Sequence, residues 1–471
     1  MMDLADQDRL VALRSYDVSA VTQLHGSDSM DVLPNVPEAR ECYVRAAMQQ
    51  AVLYGLPGVY QYAVMSAQCA PASPGDRWAV NQFDHARLMA DANYQQFRVP
   101  NVDTLYSNAW LDLTAGPVEL ELPQFGDRYY TFNFLDAHSN ASNISSRTYP
   151  NGPARFLIVL PDWDGTVPSD VRVFRVSTPI MWVLLRIQVF GDSDLEKVRA
   201  LQDHVQIRPL GSNDFRHDWP VVTSAEVEES WEKFLAAFDT VLRVNGVPSH
   251  ESAYVRQFGA LQVGVEVPFA PDRLDEFSTR GASRGFSDAM EILDKSRPLL
   301  GKKTDSGWTR VRDKGAHGTN YLARAIMNFV GLGANVVEEN TSYNTYVDAE
   351  QVPLDGANAN YRIRFDPTPP SRAFWSVTLY VARTGALYDA PEGRHSVASS
   401  TAELRYDQGS LTVDISTVRS PTMVNWLPCP AGEFFLVIRM YVPEEAALTG
   451  EWTPPPIHRV EDPVAPDGTL P

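Results

Sequence analysis

Residues 118–138 read VELELPQFGDRYYTFNFLDAH. Val118 to Leu122 alternates apolar and acidic residues, the period of a strand with one buried face. Gln124-Phe125-Gly126-Asp127 supplies a turn, and Arg128 to His138 reads as the strand that returns from it. On that strand Tyr130, Phe132, Phe134, Asp136 and His138 share one face. With both phenylalanines turned to a core, Asp136 and His138 point inward at the strand end. Further strands are expected at 155–160, 171–176 and 180–189, giving an antiparallel β domain that ends near Leu210.

Working outward, residues 1–36 are a polar extension, and 37–65 are helical. Gly55-Leu56-Pro57-Gly58 there predicts two helices joined by a turn. Residues 216–335 read as a helical connector, clearest in EVEESWEKFLAAFDTVLRV and SRGFSDAMEILDKSRPLL, with a third helix at 320–331. A second β domain follows at 336–460, with strands YRIRF, AFWSVTLYV, LTVDIS and EFFLVIRMYV. Short strands punctuated by Gly and Pro suit a sandwich, barrel or jelly roll. Residues 461–471 form a Pro-rich tail. The expected class is mostly β with a helical bridge, α+β, holding two jelly-roll or β-sandwich-like antiparallel domains, the first spanning 37–215.

The chain has 471 residues, enough to bury a large core, and 59 acidic against 40 basic residues, a net charge of −19. Nucleic acid and anionic membrane are therefore excluded as expected partners, since both need a basic footprint. No apolar run reaches the length of a membrane span. The N-terminus lacks a basic stretch leading into an apolar one, so no signal peptide is expected. Three scattered cysteines form neither a disulfide framework nor a thiolate metal site, and the cytoplasm is the expected compartment. Signatures of P-loop, Rossmann, zincin and α/β-hydrolase sites are absent, so no nucleotide or flavin cofactor is expected.

Several motifs resemble the fused DUF 1254 and DUF 1214 families, bacterial domains of unknown function found in tandem. The first resemblance rests on NQFDHAR (81–87), PNVDTLYS (100–107), WLDL (110–113) and GDRYY (126–130). The second rests on YLARA (321–325), PLDG (353–356), FWSVTLY (374–380), NWLP (425–428) and PAG (430–432). The resemblance implies two jelly-roll-like domains bridged by helices and no established activity. Where the family usually carries tryptophan after Leu135-Asp136-Ala137, this chain has His138.

Chemistry-bearing residues concentrate in three places. Asn101, Asp103, Thr104 and Tyr106 set an amide, a carboxylate, a hydroxyl and a phenol within six residues. Such a cluster suits a polyol, a water or a hard cation, or else a turn after Pro100 satisfying its own backbone. Asp136 and His138 read as half a metal site or a general-base pair, with His85 as the nearest third ligand. A divalent metal would sit on Asp136, His138 and His85; the alternative is a histidine bonded to its neighbour alone. Arg439, interrupting FFLVIRMYV, and Arg324, on the third helix, each need a carboxylate partner or bind a substrate anion. Trp375, Trp426 and Tyr380 are aromatic walls or core.

These residues point to a small-molecule enzyme using acid–base chemistry, by hydrolysis, dehydration or isomerisation, at a site in or beside the first β domain. His85, Asp103, Tyr106, Asp136 and His138 are its expected catalytic groups. Asn101, Thr104, Arg324, Trp375 and Arg439 are its expected binding groups. The competing expectations are a carbohydrate or small-molecule binding protein and a homo-oligomeric scaffold.

Overall fold

The computed structural model describes residues 33–69, 80–94, 99–150, 152–211, 219–265, 267–296, 301–310 and 314–460. Most of the polar extension and all of the Pro-rich tail lie outside the described residues.

The first sandwich packs two sheets over one core. Strands β1 (Asp84–His85), β2 (Thr104–Asp112), β4 (Tyr130–Leu135), β5 (Ala141–Ser145) and β8 (Ile180–Gln188) form a five-stranded antiparallel sheet in the order β1-β2-β8-β4-β5. Strands β3 (Val118–Leu122), β6 (Ala154–Val159), β7 (Val171–Arg175) and β9 (Gln206–Pro209) form the opposing sheet in the order β7-β6-β3-β9. Helix α2 (Leu195–His204) precedes the last of these strands. Leu105, Leu111, Leu120, Phe132, Phe134, Phe156, Ile158 and Leu185 fill the space between the sheets.

The two strands of the opening stretch are not a hairpin. β3 pairs with β6 and β9, whereas β4 pairs with β5 and β8. The chain between them crosses from one sheet to the other, so the alternating residues of both meet in the same core. Tyr130, Phe132 and Phe134 do face that core. The alternation stops at Leu135, where β4 ends and residues 136–140 turn.

The second sandwich repeats the plan. Strands β10 (Lys302–Lys303), β11 (Thr309–Arg310), β12 (Asn340–Thr345), β14 (Ser371–Val381), β15 (Ser396–Ala398) and β18 (Phe434–Pro443) form a six-stranded sheet, β10-β11-β12-β18-β14-β15. Strands β13 (Asn360–Phe365), β16 (Leu411–Ser416), β17 (Trp426–Pro428) and β19 (His458–Val460) form its partner, β17-β16-β13-β19. Pairing is antiparallel throughout except at β6–β7 and β16–β17.

Most of the helices pack together against the first sandwich. Helix α1 is one helix, Pro37–Cys69, with Pro57 inside it, and not the expected pair. Its glycines are contact points and not breaks. A Cβ on Gly55 would stand 2.7 Å from the Phe238 ring, and one on Gly58 would stand 2.5 Å from the Ala137 carbonyl oxygen. Tertiary packing on all sides thus outweighs the proline. Around α1 lie α3 (Ser224–Glu229), α4 (Trp231–Asn245), α5 (Ser252–Arg256), α6 (Glu276–Ser296) and α7 (Tyr321–Val330). Asn320 caps α7 by accepting from the Ala323 N–H. A short helix, α8 (Glu445–Thr449), follows β18. No helix among the described residues is long and apolar enough to cross a membrane.

Candidate functional site

The outward face of the five-stranded sheet is divided. Trp110, Leu135, Trp182 and Leu184 pack into the helical core. Further along the same strands the face turns polar: Tyr106, Arg186, Thr131 and Ser145 form one cross-strand row. The six-stranded sheet has a matching outward row of Ser376, Arg439 and Ser342, flanked by Phe374, Tyr441 and Asn340. These two faces meet. Tyr129 packs its ring on Phe374 at 5.7 Å and on Tyr441 at 5.2 Å.

Asp103 lies at the centre of this seam, just ahead of β2, and is 6% exposed. Its Oδ2 accepts from Ser376 Oγ of the second sandwich at 2.6 Å, and the Tyr441 hydroxyl bonds the same carboxylate. Burial pushes the Asp103 carboxyl above its ordinary pKa, against the pull of Ser376, Arg439 and Tyr441. Asn101 builds the turn that presents it. Asn101 Oδ1 accepts from the Asp103 N–H (3.0 Å), the Thr104 N–H (2.9 Å) and Thr104 Oγ1 (3.0 Å), while its Nδ2 donates to Tyr106 Oη.

Arg439 crosses the seam in the opposite direction. Its Nη2 donates to the Val99 carbonyl at 2.8 Å and its Nη1 to Tyr380 Oη at 2.7 Å. Tyr380 in turn donates to the Pro100 carbonyl. Although burial works against its charge, the surrounding Tyr380, Tyr441 and Asp103 raise the Arg439 pKa. The backbone that offers these carbonyls is strained: Val99 has φ 56°, and Val442, beside Tyr441, has φ 51°. β-branched residues rarely adopt that region, and such strain is held where surrounding contacts over-determine it.

Two more cations complete the seam. The Arg186 guanidinium stands 5.3 Å from the centre of the Tyr106 ring, and its Nη2 donates to the Gly333 carbonyl at 3.3 Å. Lys314 is 7% exposed and donates to Asn340 Oδ1 at 2.8 Å. Burial, with Arg439, Arg186 and Arg310 nearby, pulls the Lys314 pKa down to about 7.

The expected site residues therefore separate into four places. Asn101, Asp103, Thr104, Tyr106 and Arg439 come together at the seam. His85 does not join them. It pairs with Ser107, whose side chain lies on the opposite face of β2 from Tyr106, and its Nδ1 is 2.8 Å from Ser107 Oγ. Burial, then the Arg87 charge, lowers its pKa to about 4.

Asp136 and His138 belong to a third place. Asp136 closes its own turn: Oδ1 accepts from the His138 N–H (2.9 Å) and the Asn140 N–H (2.8 Å), and Oδ2 from Ser177 Oγ (2.9 Å). His138 turns into the helical core, edge-on to Tyr54 with ring centres 5.5 Å apart. Burial, then the Arg324 charge, lowers its pKa. Arg324 sits 4.9 Å over the Tyr54 ring and 3.9 Å from Glu251 Oε1, while Tyr54 Oη donates to Glu251 Oε2 at 2.7 Å. That is a buried structural network. Strands β2 and β8 separate β1 from β4, so His85 and the end of β4 are about 14 Å apart across the sheet. His85, Asp136 and His138 do not form one coordination sphere, and no three His, Cys, Asp or Glu side chains gather as a metal-holding group among the described residues. Trp375 faces the second core, on the other side of β14 from Ser376.

Sequence reasoning missed Arg186, Lys314, Ser376 and Tyr441. Arg186 carried the signal that singled out Arg439, an arginine within an apolar strand (IMWVLLRIQ). Lys314, in a short loop, carried none.

Comparison with known proteins agrees with this architecture. The model described as "Protein of unknown function (DUF1254)" matches residues 80–209, and that described as "Protein of unknown function (DUF1214)" matches residues 339–445. The VPA0106 protein of Vibrio parahaemolyticus has the same fold: TM-score 0.70 at 22% identity, covering 89% of this chain and 100% of that one. A putative uncharacterized protein from Burkholderia cenocepacia aligns at TM-score 0.44 and 13% identity, over 94% of both chains. No curated protein matches. The chain belongs to the proteins in which a DUF1254 and a DUF1214 domain share one polypeptide.

Proposed function

We propose that the protein is a small-molecule enzyme working by acid–base chemistry, with its site at the seam between the two sandwiches. One observation carries the reading: Asp103 is buried at the meeting of two polar sheet faces, bonded across it by Ser376, with its pKa raised. A carboxyl shifted upward holds a proton more readily than a free one, which suits acid–base work. The Tyr106 and Tyr441 hydroxyls stand beside it. Hydrolysis, dehydration and isomerisation all suit this inventory. Three unpaired cysteines support a reducing, cytoplasmic setting.

A non-catalytic binding role is the second reading. It is favoured by how fully Asp103, Asn101 and Arg439 are engaged in holding the seam together. The test is a screen of the purified protein against small esters, lactones, hydroxy acids and carbonyl compounds, read by mass spectrometry. Turnover by the wild type and none by D103N supports the enzyme. A compound that raises the melting temperature yet is returned intact supports binding alone. Turnover undiminished in D103N overturns the assignment of Asp103.

A further inference from the structure

We propose that the seam binds an oxyanion, the carboxylate or phosphate group of a small organic molecule, held between Arg186 and Arg439 with Lys314 beside them. This deepens the proposed function by naming its substrate class; it rests on the site lying at the seam, not on turnover.

The argument begins with charge. Buried ions are retained when paired. Lys314 bonds Asn340, which stands opposite Tyr441 two residues along β18 from Arg439, and Arg186 lies over Tyr106, whose hydroxyl bonds the Asn101 that presents Asp103, so the three groups share one environment. The carboxylate among them is Asp103, already engaged by Ser376 and Tyr441. The next carboxylate along the seam, Glu339, accepts from Arg147 and Ser145. Two arginines, with a lysine that is only partly charged near neutral pH, thus share the seam with one engaged carboxylate. A bound anion supplies the missing charge.

Unmet hydrogen bonds point to the same ligand. Arg186 Nη1 is buried and has no hydrogen-bond partner among the described residues. The Thr378 hydroxyl is in the same condition, on the face of β14 that carries Ser376 and one strand from Arg439. A buried donor left unpaired is costly. Both belong to the same seam, and an oxyanion accepts from both.

The placement of the arginines makes the site specific. Arg186 is on β8, the middle strand of the first sheet, and Arg439 is on β18, inside the second. Each is positioned by a ladder on both sides, so the two guanidinium groups are held by rigid elements and not by loops. Planar guanidinium groups suit carboxylate and phosphate oxygens.

The test uses the full chain, with benzoate and inorganic phosphate as separate probes against sodium chloride of equal ionic strength. Benzoate or phosphate is expected to raise the melting temperature in a saturable manner. R186Q is expected to weaken the probe's Kd about ten- to hundred-fold, the range for one charge-assisted bond. R186Q is preferred to R439Q because Arg439 also ties the two sandwiches together. Binding of benzoate alone assigns a carboxylate; binding of phosphate alone assigns a phosphoryl group. No shift beyond the salt control with either probe overturns the proposal, as does an unchanged affinity in R186Q. Anion binding without turnover of any substrate would leave this inference standing while the enzyme reading falls. Turnover of neutral substrates without anion binding would do the reverse.

Discussion

Lys314 allows the electrostatics of the seam to be measured without a substrate. Its folded pKa is about 7, against an ordinary 10.5. The cause is burial, then the charges of Arg439, Arg186 and Arg310, with Asn340 as its hydrogen-bond partner. The lowered folded value means that the contribution of Lys314 to stability is complete above pH 10.5 and is lost as pH falls through about 7. Between those values the unfolded chain carries a proton that the folded chain does not. Stability therefore rises with pH by up to about 1.4 kcal/mol per unit, with a ceiling on the order of 5 kcal/mol over the window. K314M has no proton to bind and lacks this rise. In a chain of 471 residues, 1 kcal/mol moves the melting temperature by about 1 °C. The gap between wild type and K314M should then shift by about 2 °C in favour of the wild type from pH 7 to pH 9, the folded lysine being already half-neutral at pH 7. Tyr54, Tyr129 and Tyr441, whose buried phenols titrate higher, are common to both proteins and cancel. Parallel melting profiles across that range would refute the assignment of Lys314 to a buried cationic cluster. Saturating benzoate offers a second arm: it should stabilise the charged amine and flatten the wild-type slope.

Other perturbations separate the seam from its surroundings. H85A should leave benzoate affinity within about twofold by calorimetry, because His85 lies on the far face of β2. D136A strands the His138 and Asn140 N–H groups and should cost about 2–3 kcal/mol in denaturant unfolding without abolishing binding. G333A faces both a φ of 81° and a Cβ 2.8 Å from Leu184 and 3.2 Å from Trp182. It should cost about 1–3 kcal/mol and also weaken anion binding, since the Gly333 carbonyl accepts from Arg186.

The strands were legible in the sequence because their periodicity is a local property. Val118–Leu122 and Tyr130–Leu135 are strands as expected, although both of their faces are largely buried. Which strand pairs with which is not local: the Gln124–Asp127 turn looks the same whether the chain folds back in one sheet or crosses to another. The same limit explains α1. Pro57 and its glycines read as a break, yet Phe238, Val241 and Ala137 close on those glycines from distant parts of the chain. The strand expected to run to His138 is shorter for a related reason. β4 ends at Leu135, and the alternation beyond it falls in a turn that Asp136 itself stabilises. At the seam, Asn101 to Tyr106 was visible as a dense polar run and Arg439 as a charge inside an apolar strand. The groups that make them a site, Ser376, Tyr441, Arg186 and Lys314, come from segments up to several hundred residues away in sequence.

That distribution bears on why the two domains occur together. Each sandwich packs two sheets over its own core, and one of those sheets has a mixed outer face. In the first domain that face carries Tyr106 and Arg186; in the second it carries Phe374, Ser376, Tyr380, Arg439 and Tyr441. Separated, the second domain would expose the stacked Phe374 and Tyr441 rings and, further along β14, Tyr380, apolar surface that soluble monomers rarely leave uncovered in quantity. It would also lose the Val99 carbonyl that holds Arg439 and the Pro100 carbonyl that holds Tyr380. The first domain would lose the Ser376 and Tyr441 hydroxyls on Asp103. Neither half therefore contains the whole of the proposed site; the buried carboxyl comes from one domain and an arginine beside it from the other. A chemistry built on Asp103 and Arg439 requires both sandwiches in one rigid arrangement, and a single polypeptide that also wraps helices around α1 supplies it without the entropic cost of bringing two chains together.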